Sequence, residues 1–383
     1  MLSTPYAKQN INKKDIRNVS LTLKSEYLTT GPKIIEFENK LSKYFGSKYS
    51  VAINSATSAL HISCLALGLK KNDYLWTTPI SFVASSNCAL YCGAKVDFVD
   101  IDNDTFNISI DKLEQKLKKT PKRKLPKIVV IVHLSGHPVD MRMVKKLSNK
   151  FGFKIIEDAS HAVGSIYNGF KIGNCKYSDI CVFSFHPVKI ITTGEGGCIM
   201  TNSKSIFDKS CILRSHGINK NIKNFYNPWH YDQQSLGFNY RMNEIEAALG
   251  ISQLARVKKF LNIRNKISKN YYELLDNNKI KFQKIIPNSK SSMHLFIIRV
   301  SSKIRKQIYT NLKKKGINTN LHYIPIYRHT FYKKFNFKNK NFNNAERYYR
   351  EAITLPLYFD LKKNKQKEII NIINKTLNSN LSN

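Results

Sequence analysis

The chain has 383 residues, which is enough for two domains or for one large α/β unit with a buried core. Its formal net charge of +37 suggests a nucleic-acid or anionic-membrane surface, yet only twelve of the 63 basic residues are arginine, the residue typical of phosphate and base recognition. The lysines are scattered, and no apolar run approaches the roughly 18 residues of a membrane-spanning helix. The composition therefore disfavours nucleic acid and membrane as partners.

The seven cysteines form no CxxC pair, and most lie in apolar runs where a thiol behaves as a small core residue. We therefore expect no metal site. The N-terminal sequence MLSTPYAKQN contains no apolar signal region. We expect a soluble protein that works in the reducing cytoplasm.

Short apolar runs alternate with helical patterns between about residues 49 and 201. Seven runs predict strands buried on both faces of a mostly parallel sheet, and they begin at Tyr49, Asp73, Lys95, Lys127, Phe153, Asp179 and Gly197. Helical patterns between the first five runs predict crossover helices on both faces of the sheet. Ligands of such sheets bind beyond the carboxyl ends of the strands.

A helical pattern, RMNEIEAALGISQLARVKKF, begins at Arg241 and leads into a smaller C-terminal α/β domain. In this second domain we expect a strand near HLFIIRV, which begins at His294, and an amphipathic helix near the end of the chain. The predicted division is residues 1–255, a large domain with an N-terminal arm, and residues 256–383, the smaller domain.

An acid and an amine follow two neighbouring predicted strands. Asp158 ends the run FKIIED, and Lys189 follows the run that ends at Phe185, with the Gly-rich turn TTGEGG directly behind it. Pyridoxal phosphate (PLP) chemistry requires this pair, because a lysine binds the cofactor covalently and an acid keeps its pyridine nitrogen protonated. The alternative is a structural ion pair of little energetic value.

Small hydroxyl residues open the helix that follows the first predicted strand. In NSATSAL, at 54–60, the helix opens with Ser55, Ala56, Thr57 and Ser58, and small hydroxyl residues beside the free N–H groups of a helix start can make a phosphate cradle. An ordinary N-cap explains the same residues, and Ser184 at the end of another strand adds little by itself.

Two further side chains fall near this edge of the sheet. Phe82, in TTPISFVAS, is an aromatic ring that can stack on a planar cofactor, although core packing is the usual role of a phenylalanine. His161 follows Asp158 by three residues and is either a contact to the cofactor's ring oxygen or a satisfied histidine in a turn.

The order and spacing of these motifs resemble the DegT/DnrJ/EryC1/StrS family of sugar aminotransferases. The matching segments are YLTTGP, NSATSAL, TTPISFVAS, EDASHA, FSFHPVK, TTGEGG, GFNYRMNEIEAALG and HYIPIY. The resemblance implies the PLP-dependent transferase fold type I, which is like that of aspartate aminotransferase, with a seven-stranded large domain and a smaller C-terminal α/β domain.

The resemblance also implies roles for individual residues. Lys189 would bind PLP covalently, Asp158 would pair with its pyridine nitrogen, and His161 would approach its ring oxygen. Thr57 and Ser184 would bind the phosphate with help from the backbone of Ala56, and Phe82 would stack on the ring. Asn239 would reach the phosphate in a neighbouring subunit, so the implied assembly is a homodimer with shared active sites.

Some segments resemble more narrowly the branch of the family that serves pseudaminic acid biosynthesis. That resemblance implies transfer of an amino group from L-glutamate to carbon 4 of a UDP-linked 4-keto-6-deoxy-N-acetylhexosamine. The implied sugar-binding residues lie mostly in loops, where simple turn chemistry is the alternative. They are Tyr6, Lys8, Leu28, Thr29, Thr30, His322, Tyr323 and Ile324.

Three other functions stay open from the sequence. The first is amination of another nucleotide-linked keto sugar. The second is a PLP-dependent sugar dehydratase of the same family, although related dehydratases have histidine where this chain has Lys189. The third is a binding protein that uses the positive charge, which predicts steeply salt-dependent binding to nucleic acid or membrane.

Overall fold

The structure is a computed structural model that describes residues 3–219, 229–337 and 341–379. Within these ranges the chain forms thirteen α-helices and fifteen strands. The helices are α1 (Lys13–Leu23), α2 (Pro32–Phe45), α3 (Ala56–Ala66), α4 (Ala84–Tyr91), α5 (Ile110–Lys119), α6 (Met141–Phe151), α7 (Lys204–Arg214), α8 (Glu244–Leu254), α9 (Val257–Leu274), α10 (Ser302–Lys314), α11 (Thr330–Lys333), α12 (Asn343–Glu351) and α13 (Lys363–Ser379).

The strands are mostly short, as is usual for an α/β fold. They are β1 (Tyr49–Ile53), β2 (Tyr74–Thr77), β3 (Lys95–Phe98), β4 (Ile128–Val132), β5 (Lys154–Asp158), β6 (Ile166–Tyr167), β7 (Phe170–Lys171), β8 (Ile180–Ser184), β9 (Gly197–Thr201), β10 (Ile218–Asn219), β11 (Asp232–Gln233), β12 (Lys281–Phe282), β13 (Ser289–Lys290), β14 (Phe296–Arg299) and β15 (Ala352–Leu355).

Seven strands form one sheet in the order β1-β9-β8-β5-β4-β2-β3. Strand β9 runs antiparallel to both of its neighbours, and the other pairs in the sheet are parallel. These are the seven strands expected from the sequence, so the predicted α/β class with a mostly parallel sheet is confirmed.

Helices cover both faces of this sheet, which explains why its strands are apolar at nearly every position. Alternate residues of β4 belong to different cores. Val129 packs in the core that includes α5 and α6, whereas Val130 packs in the core that includes α3 and α4. All five residues of β4 are buried.

The C-terminal part has its own small antiparallel sheet, in the order β12-β14-β15. Its core brings together apolar residues of α9, α10 and α13, among them Ile308 and Ile369. The strand predicted near His294 is β14, and the final helix is α13. The domain boundary at 255/256 stays a prediction, because residues of α9 contribute to both the large and the small core.

The helical pattern expected from Arg241 onwards forms two helices in the structure. α8 begins only at Glu244 because Asn243 and Glu246 form a capping box, in which each side chain accepts a hydrogen bond from the other residue's backbone N–H. α8 ends at Leu254, and α9 begins at Val257. In the described ranges, no helix is both long enough and apolar enough to cross a membrane.

Candidate active site

A cavity of about 400 Å³ lies at the carboxyl ends of β1, β5 and β8. Its size is typical of small-molecule sites, which range from about 300 to 1,000 Å³. Ten of the predicted site residues line it, namely Tyr6, Ala56, Thr57, Phe82, Asp158, His161, Ser184, Lys189, His322 and Tyr323. The fold thus brings together residues that are up to 317 positions apart in the sequence.

Asp158 is the last residue of β5 and is buried. Its Oδ2 accepts a hydrogen bond of 2.6 Å from the Ser85 hydroxyl. Its Oδ1 accepts one of 3.1 Å from the backbone N–H of Ser160. Each carboxylate oxygen therefore has a donor from the protein, and these two bonds fix the orientation of the group.

Lys189 lies in the turn that follows β8, the parallel neighbour of β5. Its backbone N–H donates to the carbonyl of His186 at 2.8 Å, which shapes the turn. Burial lowers the pKa of the Lys189 amine to about 8, although the negative charge of Asp158 acts in the opposite direction. An amine with this pKa can take up and release a proton near neutral pH.

The start of α3 forms one end of the cavity. Ser55 caps this helix by accepting a hydrogen bond of 3.1 Å from the N–H of Ser58. The backbone N–H groups of Ala56 and Thr57 precede the first bonds within the helix, so they are available to an anion. A Cβ on Gly197 would lie 2.6 Å from the Ala56 nitrogen, so only glycine lets β9 approach the helix start this closely.

Three buried histidines, His161, His294 and His322, form another wall together with the partly buried Tyr323. The Nδ1 atom of His161 accepts a 3.3 Å hydrogen bond from the Ser135 N–H, so in the neutral ring Nε2 holds the hydrogen. Nε2 lies 3.0 Å from the Tyr323 hydroxyl. Burial and the nearby charge of Lys189 lower the pKa of His161 well below its ordinary value. His161 is therefore neutral, and its Nε2 already has the Tyr323 hydroxyl as a partner.

Six predicted residues lie outside the lining of this cavity. Lys8 lines a small neighbouring cavity that also reaches Lys189, and Ile324 is partly exposed. The other four lie at the surface of the described chain near the start of α8 and near α7. Leu28, Thr29 and Thr30 lie in one loop beside the start of α8, where the Glu244 N–H donates to the Leu28 carbonyl at 3.0 Å and Thr29 forms a β-bridge with Asn243. Asn239 forms a β-bridge with Ser215, which follows α7. The roles of these six residues stay predictions.

Ser85 and His294 are among the residues at the site that the sequence did not predict. Ser85 lies inside the motif TTPISFVAS, but nothing in its spacing distinguishes it from its serine neighbours. His294 lines the cavity, and its ring centroid lies 4.5 Å from that of His161. The position of His294 just before an apolar strand is also typical of a core residue, so the sequence contained no signal for it.

The cavity has the donors and acceptors that fit PLP. Backbone N–H groups and the hydroxyls of Thr57 and Ser184 suit its phosphate, and the Lys189 amine suits its aldehyde. The Asp158 carboxylate suits a protonated ring nitrogen. Phe82 is 57% exposed at this wall, which leaves its ring free to stack on a planar group.

Comparisons with known proteins agree with this geometry. Residues 9–374 match the model of the DegT/DnrJ/EryC1/StrS aminotransferase family. The chain is 39% identical over 360 residues, 93% of either chain, to the UDP-4-amino-4,6-dideoxy-N-acetyl-beta-L-altrosamine transaminase of Campylobacter jejuni subsp. jejuni serotype O:23/36.

Solved structures show the same similarity. Helicobacter pylori PseC, an aminotransferase involved in the biosynthesis of pseudoaminic acid, superposes with a TM-score of 0.89 at 33% identity, over 98% of this chain and 100% of that one. The PLP-form of the candidate sugar aminotransferase Spr1654 from Streptococcus pneumoniae superposes with a TM-score of 0.89 at 29% identity, over 98% and 99%. The predicted family and fold are confirmed, and the chain belongs to the DegT/DnrJ/EryC1/StrS family of PLP-dependent aminotransferases.

Proposed function

We propose that this protein transfers an amino group from L-glutamate to carbon 4 of a UDP-linked 4-keto-6-deoxy-N-acetylhexosamine. The observation on which this depends is the placement of the Lys189 amine and the Asp158 carboxylate in one cavity, at the ends of adjacent parallel strands. The similarity to altrosamine transaminases supports this choice of substrate.

PLP, when bound, supplies an electron sink for charge that develops at the α-carbon of the amino donor. Lys189 would hold the cofactor, and its amine is the group placed to move a proton from that carbon. Positioned proton transfer of this kind typically contributes about 10²–10⁴-fold to a rate. Asp158 would hold the protonated ring nitrogen, and the start of α3 would hold the phosphate.

The sugar nucleotide occupies the side of the cavity formed by Tyr6, His322 and Tyr323. Tyr6 reaches this wall because the N-terminal arm is tied to the C-terminal part, where the Leu357 N–H donates to the Tyr6 carbonyl at 3.0 Å. Burial lowers the pKa of His322 to about 3, so this histidine offers a neutral hydrogen-bonding group to the substrate.

The active unit is a homodimer. Leu28, Thr29, Thr30 and Asn239 lie outside the cavity of their own chain, so we assign them to the cavity of a second copy. Apolar side chains are exposed close to the first three of these residues: Leu21, Leu23 and Tyr27 are each about half exposed. An exposed apolar cluster of this kind is typical of an interface.

Five of the seven cysteines are buried free thiols, which suits the reducing cytoplasm.

A panel of keto sugars tests the proposed reaction. The purified protein, loaded with PLP, is incubated with L-glutamate and with UDP- and dTDP-linked 4-keto and 3-keto sugars, and products are identified by mass and NMR. We expect an amine at carbon 4 of the UDP-linked N-acetylhexosamine and no product with the Lys189→Ala variant. Amination at carbon 3, dehydration of the sugar, or preference for a dTDP sugar would contradict the proposal.

A further inference from the structure

The Ser81 hydroxyl, the Ser85 hydroxyl and the Asp158 carboxylate form a hydrogen-bonded chain. The Ser81 and Ser85 hydroxyl oxygens are 2.7 Å apart, and the Ser85 hydroxyl lies 2.6 Å from Asp158 Oδ2. Ser85 is fully buried, and Ser81 is 3% exposed. Bulk water therefore has little access to these bonds.

The direction of both hydrogen bonds follows from counting hydrogens. A serine hydroxyl has one hydrogen, and a carboxylate accepts hydrogen bonds but donates none. Ser85 must therefore donate to Asp158, so the bond between the serines is donated by Ser81. Bonds aligned in series strengthen one another in a buried environment.

Ser85 and Ser86, neighbouring residues of α4, differ in the group to which the hydroxyl donates its hydrogen bond. A serine in a helix commonly satisfies its hydroxyl with a nearby backbone carbonyl. Ser86 does so, because it donates to the Val83 carbonyl at 3.0 Å, and its hydroxyl is also 2.6 Å from that of Tyr332. Ser85 instead reaches a carboxylate 73 positions away in the sequence.

We propose that Ser85, supported by Ser81, is a positioning residue that fixes the Asp158 carboxylate toward the ring nitrogen of the cofactor. The Ser160 N–H already occupies Oδ1, so the Ser85 bond is the second of the two that prevent the carboxylate from rotating. This inference rests on the proposed function, because it assumes that PLP occupies the cavity with its nitrogen at Asp158.

The test compares PLP with 1-deaza-PLP, an analogue with carbon in place of the ring nitrogen. Dissociation constants of both are measured by equilibrium dialysis for the wild type, Ser85→Ala and the matched control Ser86→Ala. A hydrogen bond to a charged group makes a large contribution, so we expect Ser85→Ala to weaken PLP binding about ten-fold. We expect binding of the deaza analogue to change less than two-fold, and Ser86→Ala to affect both ligands equally.

A merely structural role for Ser85 predicts equal losses for the two ligands, and that result would overturn the inference. If Ser85→Ala does not fold, Ser81→Ala replaces it, with an expected loss of about two- to three-fold for PLP alone; an unchanged PLP affinity would overturn the inference. A wild type that binds both ligands equally overturns the role of Asp158 and the serine inference together. A wild type that prefers PLP, with a preference that survives in Ser85→Ala, overturns the serine inference only.

Discussion

The Lys189 amine lies in the cavity at the ends of the strands, and burial lowers its pKa from 10.5 to about 8. In the folded protein without cofactor this shift is also a statement about stability. The folded state binds fewer protons than the unfolded chain between about pH 8 and pH 10.5, so the contribution of Lys189 to stability increases with pH across this window. Below about pH 8 the amine is charged in the folded and the unfolded state, so the folded state bears the whole cost of burying that charge.

Replacing Lys189 by methionine removes this penalty. Because one pKa unit corresponds to about 1.4 kcal/mol, we expect Lys189→Met to stabilise the apoprotein by about 3 kcal/mol at pH 7 and by about 1 kcal/mol at pH 10. Urea denaturation of both proteins at the two pH values measures the difference. Equal effects at pH 7 and pH 10 would show that the amine has an ordinary pKa.

Asp158 offers a second prediction for a single residue. Asp158→Asn keeps the size of the side chain and one acceptor oxygen for the Ser160 N–H, and its amide NH₂ faces the Ser85 hydroxyl, which can turn to accept from it. The substitution removes the charge that would hold a protonated ring nitrogen. We expect a thermal unfolding midpoint close to that of the wild type and the loss of most turnover. A variant with a near-normal rate would remove Asp158 from its assigned role.

Among the elements, α2 has an unusual N-terminus because its cap comes from another helix. Its N-cap residue is Gly31, which has no side chain to accept a hydrogen bond. The buried carboxylate of Glu244, the first residue of α8, accepts instead from the backbone N–H groups of Gly31, Lys33 and Ile34 at 3.0, 2.7 and 3.2 Å. This contact also holds the loop of Leu28, Thr29 and Thr30 in place.

Glu244→Ala leaves these three N–H groups buried without their acceptor. We expect a loss of about 3 kcal/mol of unfolding free energy, because hydrogen bonds to a charged group are the strong ones and the negative charge also suits a helix N-terminus. The matched control is Glu36→Ala, which removes an exposed carboxylate on α2 that pairs with Lys33 and Lys40. The control should change stability by less than about 0.5 kcal/mol. Similar losses in both variants would contradict the assigned cap.

The sequence predicted the strands of the large sheet but not the division between α8 and α9. Strands such as β4 are apolar throughout because helices cover both faces of the sheet, so their pattern was recognisable without a structure. The division between α8 and α9 was not, since apolar residues continue across Ala255 and Arg256 at helical spacing. Ser85 and His294 were missed for another reason. Their role depends on which distant side chain they meet, and only the three-dimensional path of the chain determines that.

At the level of the whole molecule, residues for one site are divided between two copies in the proposed dimer. A heterodimer of Lys189→Ala and Asn239→Ala subunits has one cavity with both substitutions and one cavity with neither. If Asn239 serves the partner, we expect each homodimer to be impaired and the purified heterodimer to recover about half of the wild-type activity. A heterodimer no more active than the Asn239→Ala homodimer, or a monomer in solution, would contradict the shared site.

In the proposed reaction, Lys189 moves nitrogen from L-glutamate to carbon 4 of a UDP-linked sugar. The most direct measurement supplies L-glutamate labelled with ¹⁵N in its amino group, together with the UDP-linked 4-keto-6-deoxy-N-acetylhexosamine, and follows the label by NMR. We expect ¹⁵N bonded to carbon 4 of the sugar with the wild type and none with Lys189→Ala. Label at another carbon, or label at carbon 4 with the variant, would contradict it.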